Sequence, residues 1–275
     1  MFAGRICPDI RSDKLARKIN NKIECIKDEN IKEKLFFVLH FPKQKDVDIN
    51  EGEPRNSRLR KRMEKYTNAI VALLEKEGEV NRYIRGIDAC ANEIGCRPEV
   101  FAQYYRYLLD YSYKEEDGSS HNLMATYHVG EDFFDIVDGL RAIDEVMLFC
   151  GIYSGCRLGH ALALGINTEN YYKYKGDVLV MPGQDLLDNL AWILVKQCQY
   201  GCLVDDALKF VLEHKFNELF NEIYYRKELE YGSVTYLEYY NCWKLRGDCP
   251  DNYCLDEKEF SRRLELEPVR KLQRY

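Results

Sequence analysis

The stretch NLMATYHVGEDFFDIVDGLRAIDEVMLF (residues 122–149), followed by RLGHALAL (residues 157–164), decides the fold class. Residues 122–128 and 157–164 are rich in apolar side chains over short runs, which is typical of buried strands. Between them, residues 132–149 carry apolar side chains at helical spacing. A strand, a helix and a second strand form a βαβ unit, in which the two strands are parallel. The sequence therefore predicts an α/β fold with a parallel sheet.

The same alternation extends towards the N-terminus. LFFVLHF, residues 35–41, is a short apolar run ended by Pro42, and it predicts a buried strand. A polar loop then leads to a predicted helix over 57–76, and a strand at 82–88 precedes a helix that begins at Pro98. About four strands are expected, whereas a complete (β/α)8 barrel takes about 250 residues and eight strands. Either a small open sheet carries a helical domain, or a barrel is cut off at both ends.

Beyond residue 165 the pattern is helical. Apolar spacing predicts four helices, at residues 184–200, 204–227, 234–245 and 256–264. We therefore divide the chain into an α/β part, residues 1–165, and a helical region, residues 166–275. The helical region is either a packing cap or, given the 21 tyrosines of the chain, a subunit interface.

Composition excludes two classes of partner. The 40 Lys and Arg against 46 Asp and Glu give a net charge of −6 without a basic block, which disfavours binding to a nucleic-acid backbone. The longest uncharged apolar run, residues 146–156, is far shorter than the roughly 20 residues that span a bilayer. The first residues lack the apolar core of a signal peptide, so we expect a cytoplasmic protein.

The chain has 11 cysteines, an odd number without an export signal beside them. We expect most of them to be reduced thiols in the core. Their spacings contain no CxxC pair, which disfavours a structural zinc site of the Cys-rich type.

Two of the five histidines end consecutive predicted strands. His128 is followed by Gly130 and Glu131, and the next predicted strand supplies His160. The carboxyl ends of parallel strands open on one face, so we expect these side chains to converge there. Imidazole is a preferred zinc ligand, and a carboxylate that does not bind the metal can shuttle protons. The pattern indicates a hydrolytic metal site.

The other histidines are expected to be structural or solvent-exposed. His40 ends a predicted strand but has no carboxylate beside it in the sequence. His121 lies in a polar turn, and His214 lies in a predicted helix.

Two motifs connect these residues to a known family. HVGE (residues 128–131) followed by RLGHA (157–161) resembles the fifth- and sixth-strand motifs of adenosine-deaminase-like metal-dependent amidohydrolases, and GIDACANE (86–93) resembles their fourth-strand motif. LFFVLHF fits their third strand. The run GEDFFDIVDGLRAIDE (130–145), together with RLGHALALG (157–165), is closer still to the large bacterial adenosine deaminases of RADAR antiphage defence systems. The resemblance covers residues 30–165 and implies a partial TIM barrel.

The resemblance implies a role for each matched residue. His128 would be a Zn²⁺ ligand, Glu131 the acid that protonates the purine ring nitrogen, and His160 the histidine that orients and helps deprotonate the attacking water. Glu93 would lie next to the purine pocket, where Gly130 would allow a tight backbone path. The implied reaction is hydrolytic deamination of a purine nucleoside or nucleotide at C6 of adenine, with loss of ammonia. Resemblance to the defence deaminases further implies a homo-oligomer and an ATPase partner.

The chain departs from the family pattern in two ways. Where the fourth-strand motif commonly reads Gly-Asp-Glu, this chain has Ala91-Asn92-Glu93, which places a methyl group against the expected purine position. The sequence also has no HxH strand before residue 35 and no strand ending in an Asp pair after residue 165, and these elements hold the family's other zinc ligands.

These absences lead to two expectations. We expect the chain to be a piece of a longer enzyme, with residues 166–275 as an insertion, and to hold no catalytic zinc by itself. The alternative is an amidohydrolase-derived structural protein that serves only in assembly.

Overall fold

The protein is seen in a computed structural model, which describes residues 2–46, 54–76, 80–115, 118–201, 205–224 and 234–252. Its strands in chain order are β1 (Phe2–Ile6), β2 (Leu35–Pro42), β3 (Ile84–Cys90), β4 (Ser112–Lys114), β5 (Ser120–Asn122), β6 (Met124–Val129) and β7 (Arg157–His160). Five of them form a parallel sheet in the order β1-β2-β3-β6-β7, and β4 and β5 form a separate antiparallel pair. The predicted α/β class with a parallel sheet is confirmed.

Strand β1 was not predicted, so the expected count of four is wrong for this sheet. It pairs with β2 over its whole length, from Phe2 opposite Leu35 to Ile6 opposite Leu39. Its sequence, FAGRI, contains a glycine and an arginine, and only Ile6 is buried. A short edge strand of this kind has no continuous apolar run by which it can be recognised.

The described residues form nine α-helices: α1 (Ser12–Glu24), α2 (Glu29–Glu33), α3 (Ser57–Leu74), α4 (Ala102–Asp110), α5 (Ile136–Cys150), α6 (Thr168–Tyr174), α7 (Gly183–Gln199), α8 (Asp206–Tyr224) and α9 (Tyr236–Lys244). The helices predicted around α3, α4, α5, α7, α8 and α9 are confirmed, with their ends shifted by a few residues. Helices α1, α2 and α6 were not predicted. The helix predicted at 256–264 lies outside the described residues.

The strand predicted over 157–164 is correct only in its first half. Strand β7 ends at His160, and a short 3₁₀ helix covers Leu162–Leu164. His160 and Ala161 have φ angles of +59° and +49°, which lie in the left-handed region and end the extended conformation. An apolar sequence could not reveal this change of backbone direction.

Helices α1, α3, α4 and α5 pack side by side in the order in which they connect the strands. The core lies between this helical layer and the sheet. Its largest fully buried side chains include Tyr105, Tyr127, Phe41, Phe101, Phe149, Leu15, Ile19 and Leu39.

The helical region packs directly on the α/β part. Helix α7 contacts α5, and Tyr240 and Trp243 of α9 belong to the same apolar cluster as the sheet. A second cluster joins α7, α8 and α9 to one another. The predicted division at residue 165 stays a prediction, because packing alone does not define where a domain ends.

Alternation along the strands separates core residues from polar ones. Leu39 and Ile87 point towards the helices and are fully buried. Their neighbours His40 and Asp88, which lie opposite each other in the β2–β3 pairing, point to the other face. His128 points to the same face near the end of β6, so three polar side chains meet at the carboxyl end of the sheet.

Cysteine placement corrects one expectation. None of the nine described cysteines forms a disulfide, but only Cys96, Cys150 and Cys242 are buried. Cys7 and Cys25 are exposed because they follow directly after β1 and α1, where the chain leaves the core. The expectation that most cysteines lie in the core is therefore wrong among the described residues.

None of the helices within the described ranges combines the length and apolar character needed to cross a membrane.

Candidate functional site

Asp88 joins two histidines at the carboxyl end of the sheet. Its Oδ1 lies 2.8 Å from Nδ1 of His128, and its Oδ2 lies 2.8 Å from Nε2 of His40. All three side chains are buried. Together with Glu131 and His160 they form what we call the strand-end cluster.

In the fold a carboxylate, that of Asp88, lies beside His40, although no acidic residue is next to His40 in the sequence. Parallel pairing of β2 and β3 brings Asp88 directly opposite it, although 48 positions separate them in the chain. The distance between Nε2 of His40 and Oδ2 of Asp88 is that of an ion pair. The angle at Nε2 does not make this contact an aligned N–H hydrogen bond. Asp88 and then Cys90 raise the pKa of His40 to about 9, so its ring is a cation at neutral pH. The sequence places no acid beside His40, and the pairing of β2 with β3 brings one there.

Glu131 and His160 form a second acid–histidine pair beside His128. Glu131 Oε2 lies 3.1 Å from His160 Nε2, and the ring centroids of His128 and His160 are 5.3 Å apart. The side chain of His160 is 51% exposed and that of Glu131 is 25% exposed. This pair therefore lies where the cluster opens to solvent.

Glu93 fixes the loop that carries Glu131. Its buried carboxylate accepts hydrogen bonds from the backbone N–H groups of Gly130 at 3.0 Å, Glu131 at 2.9 Å and Asp132 at 3.3 Å. Three donors on one carboxylate hold the loop between β6 and α5 in place. Glu93 positions Glu131 here, and its predicted contact with a purine stays a prediction.

Two residues predicted to bind substrate have left-handed backbone. Gly130 has a φ of +72°, and a Cβ at this position would lie 2.9 Å from Cδ1 of Ile143. Only glycine fits there without displacing that side chain. Ala91 has a φ of +75°, a conformation that glycine adopts more readily than alanine. The departure from the family's Gly-Asp-Glu pattern therefore coincides with backbone strain.

Lys43 is a buried lysine that contacts the backbone of the cluster. Its Nζ donates a hydrogen bond to the carbonyl oxygen of His128 and lies 5.1 Å from the ring centroid of Tyr127. Burial lowers the pKa of Lys43, and the charges of Glu93 and Glu131 partly offset that effect. The amine thus fixes the backbone at the residue that would bind a metal.

His128 is oriented as a zinc-binding histidine would be. Donation from Nδ1 to a carboxylate leaves Nε2 as the ring nitrogen with a lone pair, which is the arrangement that commonly supports a metal-bound imidazole. However, no group of three or more His, Cys, Asp or Glu side chains in the described part of the chain is arranged to hold a metal ion. The described residues therefore fit one ligand of a zinc site and do not complete it.

Comparison with known proteins gives no identity. No protein-family model and no curated protein sequence matches the chain. Function is therefore inferred from the side chains, their geometry and the resemblance of the sequence motifs.

The structure brings together the predicted residues His128, Glu131 and His160, and sequence reasoning missed four neighbours. Asp88, His40, Lys43 and Cys90 lie at or just after the ends of β2 and β3. A usable signal was present for two of them, because His40 and Asp88 are polar residues that each have an apolar residue on both sides in their strands. The other two depend on contacts between strands that a single sequence does not reveal.

His121 and His214 were not expected to belong to the site. His121 lies in β5, where its Nε2 is 2.8 Å from the Ser119 hydroxyl, and His214 stacks on Phe210 in α8.

Proposed function

We propose that the strand-end cluster is one part of the active site of a zinc-dependent, adenosine-deaminase-like hydrolase. Its substrate would be adenosine or an adenine nucleotide, and its product the inosine form. The observation that carries the proposal is the placement of an Asp-supported histidine, His128, beside the Glu131–His160 pair at the ends of adjacent parallel strands. The remaining zinc ligands would come from residues outside the described ones.

His128 would bind the metal through Nε2. Asp88 holds the ring by its Nδ1 and so fixes both the tautomer and the direction of Nε2. Lys43 fixes the backbone of the same residue by its hydrogen bond to the carbonyl oxygen. When bound, zinc would supply an activated water at neutral pH.

Glu131 and His160 would move the protons. The carboxyl of Glu131 would donate a proton to the ring nitrogen of adenine as water adds to C6, and His160 would orient that water and accept its proton. The 3.1 Å contact between the Glu131 carboxylate and the His160 ring would hold both side chains in place. Both are partly exposed, so a substrate could reach them. The amides bound by Glu93 keep Glu131 at this position.

The sheet also supports the finer fold proposal, a partial TIM barrel. The five parallel strands lie across the sheet in the order in which they occur in the chain, as in a (β/α)8 barrel. In a doubly wound sheet the order of the strands reverses near the centre. The face away from the helices carries Arg5 and Met124, of which Met124 is 41% exposed. In a closed barrel that face would be the packed interior.

The proposed biological setting rests on the sequence alone, chiefly on the family resemblance. We propose a cytoplasmic enzyme that is part of a longer, homo-oligomeric protein, acts in antiphage defence and works with an ATPase partner. A non-catalytic role in assembly is the second candidate. It is favoured by three exposed apolar side chains on α8, Leu208, Phe210 and Val211, which are 51%, 69% and 58% exposed.

The test measures zinc and product together. The complete gene product should contain zinc and convert adenosine or an adenine nucleotide to the inosine form. Removal of zinc by a chelator should abolish the activity, and adding zinc back should restore it. The 275 residues by themselves should show neither stoichiometric zinc nor deamination. Failure of the complete protein to bind zinc, with an intact oligomer, would favour the assembly role.

A further inference from the structure

The thiol of Cys90 lies next to His40, on the side of the ring opposite Asp88. Cys90 is the last residue of β3, and its Sγ is 2.7 Å from Nδ1 of His40. The other ring nitrogen, Nε2, is 2.8 Å from Oδ2 of Asp88. One imidazole thus connects a thiol to a carboxylate.

A thiol, an imidazole and a carboxylate in contact in this order are typical of an activated cysteine nucleophile. A cysteine becomes reactive when an adjacent base can hold its proton and when a third group orients that base. A neighbouring imidazolium also favours the thiolate, which is the nucleophilic form of cysteine. In the folded chain Nε2 of His40 is paired with the carboxylate of Asp88 and Nδ1 lies against Sγ of Cys90, so the three groups are in place without a ligand.

Cys90 is also accessible to small molecules. It is partly exposed, whereas Cys96, six residues later, is buried. The orienting residues His40 and Asp88 are themselves buried, so solvent does not compete with the thiol for the imidazole. The site therefore combines a partly exposed cysteine with a buried base.

We propose that Cys90, His40 and Asp88 form a second reactive site, in which small hydroperoxides oxidise Cys90 to a sulfenic acid. The sulfur attacks the hydroxyl oxygen of the hydroperoxide, so that an S–O bond forms and the O–O bond breaks. Cys90 is oxidised by two electrons, and the hydroperoxide is reduced to an alcohol or water. The leaving oxygen takes the proton held by His40. This site needs neither zinc nor the proposed deamination.

The test compares cysteines within one protein. The protein is treated with hydrogen peroxide at neutral pH, sulfenic acids are trapped with dimedone, and peptides are quantified by mass spectrometry. Residues 86–106 form one tryptic peptide that contains both Cys90 and Cys96, because trypsin does not cut before Pro98. Cys90 should react about 10-fold faster or more than the exposed Cys7 and Cys25. Cys96 should stay unmodified, since burial raises its pKa to about 11.

Two variants separate activation from exposure. His40→Gln should slow oxidation of Cys90 by about 10-fold or more, since it removes the imidazole that holds the proton and passes it to the leaving oxygen. His121→Gln, in the two-stranded sheet, should leave the rate unchanged. Protection of Cys96 reports whether each variant is folded, and the comparison with Cys7 and Cys25 needs no variant at all. Oxidation of Cys90 no faster than that of Cys7, or an unchanged rate in folded His40→Gln, would overturn the proposal.

Discussion

Among the described residues, two clusters of largely buried charged side chains differ in how far their groups are exposed to solvent. The first is the strand-end cluster. The second, which we call the helix network, lies between the 3₁₀ turn Pro98–Val100, α5, α7 and α9. Its members are Arg97, Asp138, Arg141, Glu145, Asp188 and Arg246.

In the helix network, guanidinium groups face carboxylates on several sides. Arg141 is fully buried and lies 2.6 Å from Glu145 and 3.0 Å from Asp138. Asp188 accepts two hydrogen bonds from Arg246, at 2.6 and 3.0 Å, and one from the hydroxyl of Tyr239 at 2.6 Å. Burial alone would raise the pKa of Asp188, but Arg246 and Arg141 hold it well below its usual value.

The strand-end cluster pairs its acids with imidazoles, and part of it faces solvent. His160 is half exposed, and Nε2 of His128 is not the nitrogen bound by Asp88. Imidazoles change protonation near neutral pH, whereas guanidinium groups do not. Both clusters therefore contain buried charge. The strand-end cluster differs because its acids are paired with imidazoles and part of it is exposed, and this makes it the one suited to chemistry.

Breaking the helix network should have the largest effect on stability. Asp188→Ala leaves Arg246 and Arg141 buried without a carboxylate that they share, so the free energy of unfolding should fall by about 3–5 kcal/mol. Urea denaturation checks this value. Glu218→Ala, which removes an exposed carboxylate paired with Lys215, should change it little. An equally small effect of Asp188→Ala would mean that the network does not hold α7 and α9 on the α/β part.

The strand-end cluster should make stability depend on pH near neutrality. Because the folded state raises the pKa of His40 to about 9, its contribution is fully present below the unfolded value of 6.5 and is lost as pH rises through about 9. We expect a loss of about 1–2 kcal/mol over this range, allowing for solvent screening. Urea denaturation from pH 6 to 10 measures the loss. His40→Gln should remove the slope, and His121→Gln should keep it.

The smallest effect is expected at Ala91. Glycine at this left-handed position relieves the backbone strain but loosens the unfolded chain, so Ala91→Gly should stabilise the protein by about 0.5 kcal/mol. The same change at Ala69, inside α3, should destabilise it by about 1 kcal/mol. Thermal unfolding of the two variants compares the signs directly. Destabilisation by Ala91→Gly would show that this loop is not strained.

Much of the sheet could be predicted because parallel strands are buried on their helix-covered face and carry apolar runs, as LFFVLHF does. Strand β1 and the end of β7 could not, since the first is mostly exposed and the second ends at two left-handed residues. Of the strand-end cluster, His128, Glu131 and His160 belong to local motifs. The pairing of Asp88 with both His40 and His128 depends on the register between strands, which a single sequence does not contain.

The helix network shows the same limit. Asp188 and Arg246 are ordinary helix and turn residues in the sequence, and only the packing of α7 against α5 and α9 makes them partners.

The most direct test of the central claim measures zinc content and deamination together in two strand-end variants and one control variant of the complete gene product. Glu131→Gln should keep zinc but lower turnover by roughly 10²- to 10⁴-fold, because it removes the proton donor. His128→Ala should lose zinc and activity together, while His214→Ala, on α8, should keep both. Loss of zinc in Glu131→Gln, or near-normal turnover in either strand-end variant, would contradict the assignment of the strand-end cluster as the catalytic site.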